Sequence, residues 1–402
     1  MLFRSLGHAS EGMHEMHNAS PNGSSATPPT VAIVGGGVIG LSLGWRLAQA
    51  GCPVTLVERQ AETGRGASWA AAGMLAAGIE AEPTEEALFR LARWSQSLWP
   101  GFAAELEAAS GLPTGYDATG TLVCAFTRDQ AEKLRHGIAF QRGLGGVFHW
   151  LGAADARERE PGLAPNLVAA AFSPNDHQVD NRLVAAALAE AFRRTGGRLI
   201  TGAEAAVDLA GGRAVGVVAD ETRHPADLVV IAAGAWSRSV PGLPPAYRPP
   251  TRPIKGQMLA LTMPKGAPLI RHTVWGGQCY LVPRADGRLL VGATVEERGF
   301  DPTITAGGLL GLLDDAWRTL PGIEDLPIHE TWAGFRPGSP DDQPMLGATG
   351  IDGLLVATGH HRNGILLTPA TAVAMAELIL TGRRVPQIEP FGIERFETGR
   401  TT

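Results

Sequence analysis

Residues 31–40 read Val31-Ala32-Ile33-Val34-Gly35-Gly36-Gly37-Val38-Ile39-Gly40, and the fold is decided there. A short, β-branched run leads straight into glycines, and an apolar-periodic stretch from Leu41 to Ala50 follows, so the order is strand, tight turn, helix. Gly35 permits the turn, Gly37 lets a backbone approach a pyrophosphate, and Gly40 with Gly44 lets the helix lie close against a sheet. The N–H groups that open such a helix face phosphate oxygens.

Working outward, Pro53-Val54-Thr55-Leu56-Val57 forms a second strand that ends in Glu58. An acidic residue about 20 positions past the glycines meets a ribose hydroxyl and disfavours a 2′-phosphate, which argues against NADP and leaves NAD and FAD open. Arg65-Gly66-Ala67-Ser68-Trp69-Ala70-Ala71-Ala72-Gly73-Met74 then supplies small residues where a core-facing helix would carry large ones. Something bulky and flat must pack there. Two more strands end in glycine, Leu228 to Gly234 and Leu354 to Gly359. Ligands of open α/β sheets sit outside the carboxyl ends of strands, so these ends are expected to line one crevice with Gly35 to Gly40.

The whole chain reads as soluble and globular. It has 402 residues, 44% of them hydrophobic, enough for a large core and two joined domains. A net charge of −6 supplies no basic surface for nucleic acid. Cys52, Cys124 and Cys279 are far apart and outside any CxxC pattern, so buried free thiols are expected, with no disulfide framework and no metal site. No apolar run reaches the roughly 20 residues of a membrane span, and a cytoplasmic location is expected. Residues 1–29 read as a disordered lead.

On GGGVIG with Glu58, the ASWAAAGM run, Gly334-Phe335-Arg336-Pro337-Gly338-Ser339-Pro340-Asp341, and Gly359-His360-His361-Arg362-Asn363-Gly364-Ile365-Leu366-Leu367-Thr368-Pro369, the chain resembles the D-amino-acid-oxidase superfamily of flavoproteins, and within it the glycine oxidases of thiamine biosynthesis. The resemblance implies non-covalent FAD and a mixed α/β (α+β) fold, a parallel-sheet dinucleotide domain interleaved with an antiparallel substrate domain. Expected flavin contacts are Gly35, Gly37, Val38, Ile39, Gly40, Glu58, Arg59, Ala67, Ser68, Ala72, Gly73, Met74, Ala205, Gly234, His360, His361, Arg362, Asn363, Gly364, Ile365 and Leu366. FAD-binding parts are expected at about 30–84, 161–249 and 336–385, substrate parts at about 85–160 and 250–335, and a tail at 386–402.

An amino-acid substrate brings a carboxylate, which the planar fork of an arginine matches with two hydrogen bonds. Arg336 is the candidate; Arg362, Tyr280 and Met74 complete the expected substrate wall. Thr368 is read as the N-cap of a helix from Ala370 to Leu380, Pro369 as its first position, and Gly382 as its stop, with the positive end toward the cofactor. No Ser/His/Asp set, HExxH or Walker loop is present, so no side chain is expected as acid or base and the histidine pair reads as structural. The reaction implied by the resemblance is oxidative deamination of glycine to the imino acid, then glyoxylate and ammonia, with O2 reduced to H2O2 and the imine supplied for the thiamine thiazole. A homo-oligomer is implied as well. Val295 and Gln278 depart from the larger apolar residue and the histidine expected at those positions, so sarcosine and small D-amino acids stay open as substrates. Three rivals also stay open: a D-amino-acid dehydrogenase passing electrons to a quinone or protein, a flavin-binding protein without turnover, and an NAD-dependent enzyme.

Overall fold

The computed structural model describes residues 27–80 and 85–396; most of the expected N-terminal lead lies outside them. Val31–Val34 is buried at all four positions because it is paired on both edges, parallel to Val54–Glu58 on one side and to Leu228–Ile231 on the other. Its sheet has six strands, in the order Met345–Ala348, Leu354–Thr358, Leu228–Ile231, Val31–Val34, Val54–Glu58, Arg198–Thr201. Every pairing is parallel except the antiparallel edge strand Met345–Ala348. Strands covered on both faces need continuous apolar runs, which Val31–Val34, Leu228–Ile231 and the first four residues of Leu354–Thr358 have. The chain leaves Val31–Val34 on one side and returns on the other, so the crevice at its carboxyl end is the switch point where such sheets bind ligands.

Helices Val38–Gln49, Glu86–Ser110, Asn181–Arg194 and Thr368–Thr381 share one apolar core. An antiparallel meander, Ala205–Ala210, Arg213–Ala219 and Thr222–Pro225, packs into a separate core that includes Ala32, Val34, Val229 and Ile231. A second sheet of eight strands runs Ile328–Gly338, Arg252–Thr262, Arg288–Gly292, Cys279–Pro283, Thr273–Gly276, Thr121–Ala125, Ala169–Ser173, His149–Gly152; all its pairings are antiparallel except Thr273–Gly276 with Thr121–Ala125. The helix Ala306–Thr319 covers part of it. The expected mixed architecture is therefore present.

Several boundaries differ from the sequence reading. Arg198–Thr201 and Ala205–Ala210 are separate strands in two sheets, because Gly202 turns at φ 76° and its N–H donates to the Gln60 carbonyl. The helix Glu86–Ser110, placed by sequence among the substrate parts, buries Leu88, Leu91, Trp99, Phe102 and Leu106 in the nucleotide-side core. Ala169–Ser173, placed among the FAD-binding parts, is a strand of the eight-stranded sheet. The segment 386–396 is packed, with Ile388 and Phe391 fully buried. Thr368 is not the N-cap: that position falls on Leu367, and the Thr368 hydroxyl donates instead to the Gly364 carbonyl at 2.8 Å. Cys52, Cys124 and Cys279 are free and buried.

The N-cap of Val38–Gln49 is Gly37, which has no side chain to offer. Ser68 supplies the missing acceptor from another segment, taking the Val38 N–H at 3.0 Å. Ser68→Ala should lower stability by about 1 kcal/mol in urea denaturation, the typical worth of a side-chain cap.

Candidate active site

At the carboxyl end of the central strands a cavity of about 750 Å³ runs from Glu58, Arg59, Glu204 and Ala205 at one end to Arg336, Tyr280 and Glu80 at the other. Two hydrogen bonds bring its strand ends together: Ser237 Oγ lies 2.7 Å from Thr358 Oγ1, and Thr358 Oγ1 donates to the Gly234 carbonyl at 3.1 Å. Among the expected cofactor residues, Gly35, Gly37, Val38, Ile39, Glu58, Arg59, Ala67, Ser68, Ala72, Gly73, Met74, Ala205, Gly234, His360, His361, Arg362, Gly364 and Ile365 line it. Gly40, Asn363 and Leu366 do not. Gly40 faces the turn, Asn363 is buried, and the Leu366 carbonyl accepts from Ser95 Oγ and Trp99 Nε1. The substrate candidates Arg336, Arg362, Tyr280 and Met74 all reach the cavity.

The glycine turn is held from several directions. Glu58 accepts the Gly36 N–H at 2.7 Å and the Gln60 N–H at 2.9 Å, so its carboxylate braces the turn as well as facing the cavity. Among the described residues no acceptor serves the N–H of Gly37 or Ile39 at the helix start, nor those of Gly364 and Ile365 ahead of Thr368–Thr381. Unanswered amides at two helix starts in one long cleft suit a ligand with phosphate oxygens and a second acceptor edge, the donor set a flavin dinucleotide needs. The small-residue wall is pinned to its surroundings: Asn181 Nδ2 donates to the Ser68 and Trp69 carbonyls, and Trp332 Nε1 to that of Ala70. Arg284, buried, donates to the Ala72 carbonyl at 2.6 Å and to Gln178 and Asn181, and burial pulls its pKa down to about 10.

The family model for FAD dependent oxidoreductases (DAO) matches residues 30–378. This chain belongs to that family. The family member is 38% identical to the glycine oxidase of Geobacillus kaustophilus over 370 residues, 91% of this chain and 96% of that protein. A crystal structure of glycine oxidase from Geobacillus kaustophilus has a TM-score of 0.85 to it at 37% identity, covering 92% of this chain and 99% of that one. It is also 38% identical over 381 residues to a protein named bifunctional protein ThiO/ThiG from Synechocystis, 92% of this chain but 55% of that protein. The chain thus spans about half the length of the first curated relatives it matches.

At the substrate end of this FAD-dependent oxidoreductase, Arg336 comes from the edge strand Ile328–Gly338, and its Nη1 donates to the Thr294 carbonyl at 3.1 Å. Neighbouring Gly256 leaves the room, since a Cβ there would fall 2.6 Å from Arg336 Nη1. Among the described residues no carboxylate lies within ion-pair distance of Arg336. Burial pushes the Tyr280 phenol up to about 12 even beside Arg336, so it is a neutral donor at any working pH. Arg362 is turned toward other partners, with Nη2 donating to the Glu80 carbonyl at 3.1 Å and Nε 3.1 Å from Glu80 Oε2. His360 is buried against Thr371 Oγ1 at 3.1 Å, and burial pulls its pKa down to about 3; burial likewise lowers that of His361, which holds φ 46°. Both imidazoles are neutral near pH 7, so neither is an imidazolium acid.

Sequence reasoning missed Trp236 and Glu80. Trp236 lies under the Arg59 guanidinium, 3.9 Å from ring centroid to Cζ, and stacks on Phe300 at 4.9 Å. Its only local signal is its position two residues past Gly234. Glu80 follows the small-residue run in a stretch without periodicity, so nothing local distinguishes it from a surface carboxylate.

Proposed function

We propose that the protein oxidises the carbon–nitrogen bond of glycine with bound FAD, giving the imino acid, which water converts to glyoxylate and ammonia, with O2 as the electron acceptor. The observation that carries this reading is Arg336, a cavity-lining guanidinium without a carboxylate partner among the described residues, in a chain so similar to a glycine oxidase. FAD supplies a two-electron acceptor; the side chains supply position and charge. Gly37, Val38 and Ile39 would hold its pyrophosphate, Glu58 a ribose hydroxyl, and Ala67 to Met74 its flat ring system, while Gly364 and Ile365 would offer N–H groups to a ring edge that gains negative charge. Arg336 binds the substrate carboxylate as a fork, and Tyr280 donates a further hydrogen bond to it. Likeness to the ThiO/ThiG proteins supports a role in supplying glycine imine for the thiamine thiazole, and the reading takes the protein to be a cytoplasmic homo-oligomer.

Val295, 72% exposed, and exposed Gln278 line the cavity where it opens. Small, open walls there favour acceptance of sarcosine and D-alanine beside glycine. Anaerobic titration of the yellow holoenzyme with each of the three tests the assignment. Glycine should bleach the oxidised flavin absorbance, and air should restore it with stoichiometric H2O2. A spectrum that glycine leaves unchanged would refute the reading, and bleaching without peroxide would reassign the acceptor.

A further inference from the structure

Among the described residues, one carboxylate at the Arg336 end of the cavity has no role in the proposed reaction. Glu80 lines the cavity together with Arg336, Tyr280 and Arg362, and 12% of its side chain is accessible. It is fixed from two sides. Fully buried Asp176 accepts the Gly78 N–H at 2.9 Å and the Ile79 N–H at 3.0 Å, and Arg362 Nη2 donates to the Glu80 carbonyl. The side chain itself is less well served. Among the described residues, buried Glu80 Oε2 has no hydrogen-bond partner of good geometry, and its nearest cation is Arg362 Nε at 3.1 Å. A buried carboxylate oxygen without a donor is costly, and such groups persist where function needs them.

The groups facing Glu80 come from each element around it: Arg362 from the loop before Thr368–Thr381, Arg336 from Ile328–Gly338, Tyr280 from Cys279–Pro283, and Asp176. Burial raises its pKa to about 7 against the pull of the two arginines, with Asp176 adding to the rise. An amino acid is a zwitterion in water, and its amine must be uncharged before its electron pair can drive loss of a hydride from the α-carbon. Arg336 answers the carboxylate; the ammonium requires an acceptor.

We propose that Glu80 is the catalytic residue that receives the substrate amine: its carboxylate, partly open to the cavity, accepts a hydrogen bond from the ammonium and takes its proton, one N–H bond breaking, one O–H bond forming, and the electron pair staying on nitrogen. The proton leaves to water once the product has gone. This rests on the glycine-oxidising reading. A pKa near 7 suits such a base, which is ionised above that pH and lost as pH falls through it.

The test compares holoenzyme and its Glu80→Gln variant in anaerobic titrations with acetate, which has the carboxylate alone, and glycine, followed by flavin absorbance. Acetate binding should change less than about twofold, whereas glycine should bind about 10- to 100-fold more weakly, the range for one lost charge-assisted hydrogen bond. The wild-type second-order rate of flavin reduction should fall below about pH 7, and the variant should lack that limb while Glu80→Asp retains one. Parallel weakening of acetate and glycine, or a pH profile unchanged in Glu80→Gln, would overturn the role. If the Gln variant fails to hold FAD, Glu80→Asp decides: a profile without an acid limb overturns it. Wild-type enzyme that glycine never reduces condemns the parent reading instead.

Discussion

Replacing Arg336 with alanine should raise the KM for glycine by about 100- to 1,000-fold while the purified protein stays yellow, since removing one partner of a desolvated, hydrogen-bonded charge pair costs several kcal/mol. The guanidinium is already oriented before substrate arrives. Its Nη1 is held by the Thr294 carbonyl, and Gly256 on the adjacent strand leaves the space it fills. Carbonyl groups orient the fork without neutralising it, so its charge is still available to an incoming carboxylate. Arg336→Lys should recover only part of the loss, because an ammonium offers a point charge where a planar carboxylate prefers two parallel donors. Steady-state kinetics with an absorbance spectrum of each variant are sufficient. Unchanged KM in Arg336→Ala would remove this residue from the substrate site.

Gly40→Ala should cost about 3 kcal/mol, at the upper end for overpacking, and should yield protein largely free of FAD. A Cβ at position 40 would sit 2.0 Å from the Gly35 carbonyl oxygen and 3.3 Å from Ile33 Cγ2. Neither side can retreat. Leu41, Leu43, Trp45 and Leu47 of the same helix are fully buried, and Gly35 holds φ 113° hard against the Ala232 carbonyl. Relief therefore has to come from moving the turn whose amides are proposed to hold the pyrophosphate. Gly44→Ala is the matched comparison. Its Cβ would meet the edge of the Phe192 ring at 3.1 Å, and a side chain can shift where a backbone carbonyl cannot. Urea denaturation and the flavin-to-protein absorbance ratio should separate the two; equal loss in both would mean that general crowding of the helix, rather than the turn, sets the outcome.

Much of the cofactor end was legible because its signals are local. A buried parallel strand needs an unbroken apolar run, a turn at positive φ needs Gly35, and a wall against a flat ligand needs small side chains; each is written in consecutive residues. The proposed carboxylate fork at Arg336 was legible only through the stretch around it, since nothing about a single arginine separates a binding site from a solvated surface. The Thr368 cap was misplaced for the opposite reason. Its hydroxyl had a competing acceptor one turn back, the Gly364 carbonyl, and the His361–Asn363 turn ahead of the helix supplied the backbone geometry that local pattern assigns to a cap.

From its own order of residues, then, this chain determined a dinucleotide-binding βαβ unit, the strand ends that face one cleft, and the small-residue wall, because hydrogen-bonded turns and side-chain periodicity act over a few positions. Tertiary structure alone decided that Trp236 lies under Arg59, that Arg284 braces the Ala72 carbonyl, and that Glu80 shares a cavity with Arg336. Those pairings join segments from different sheets and loops, and charge and burial depend on distances in space that spacing along the chain does not encode.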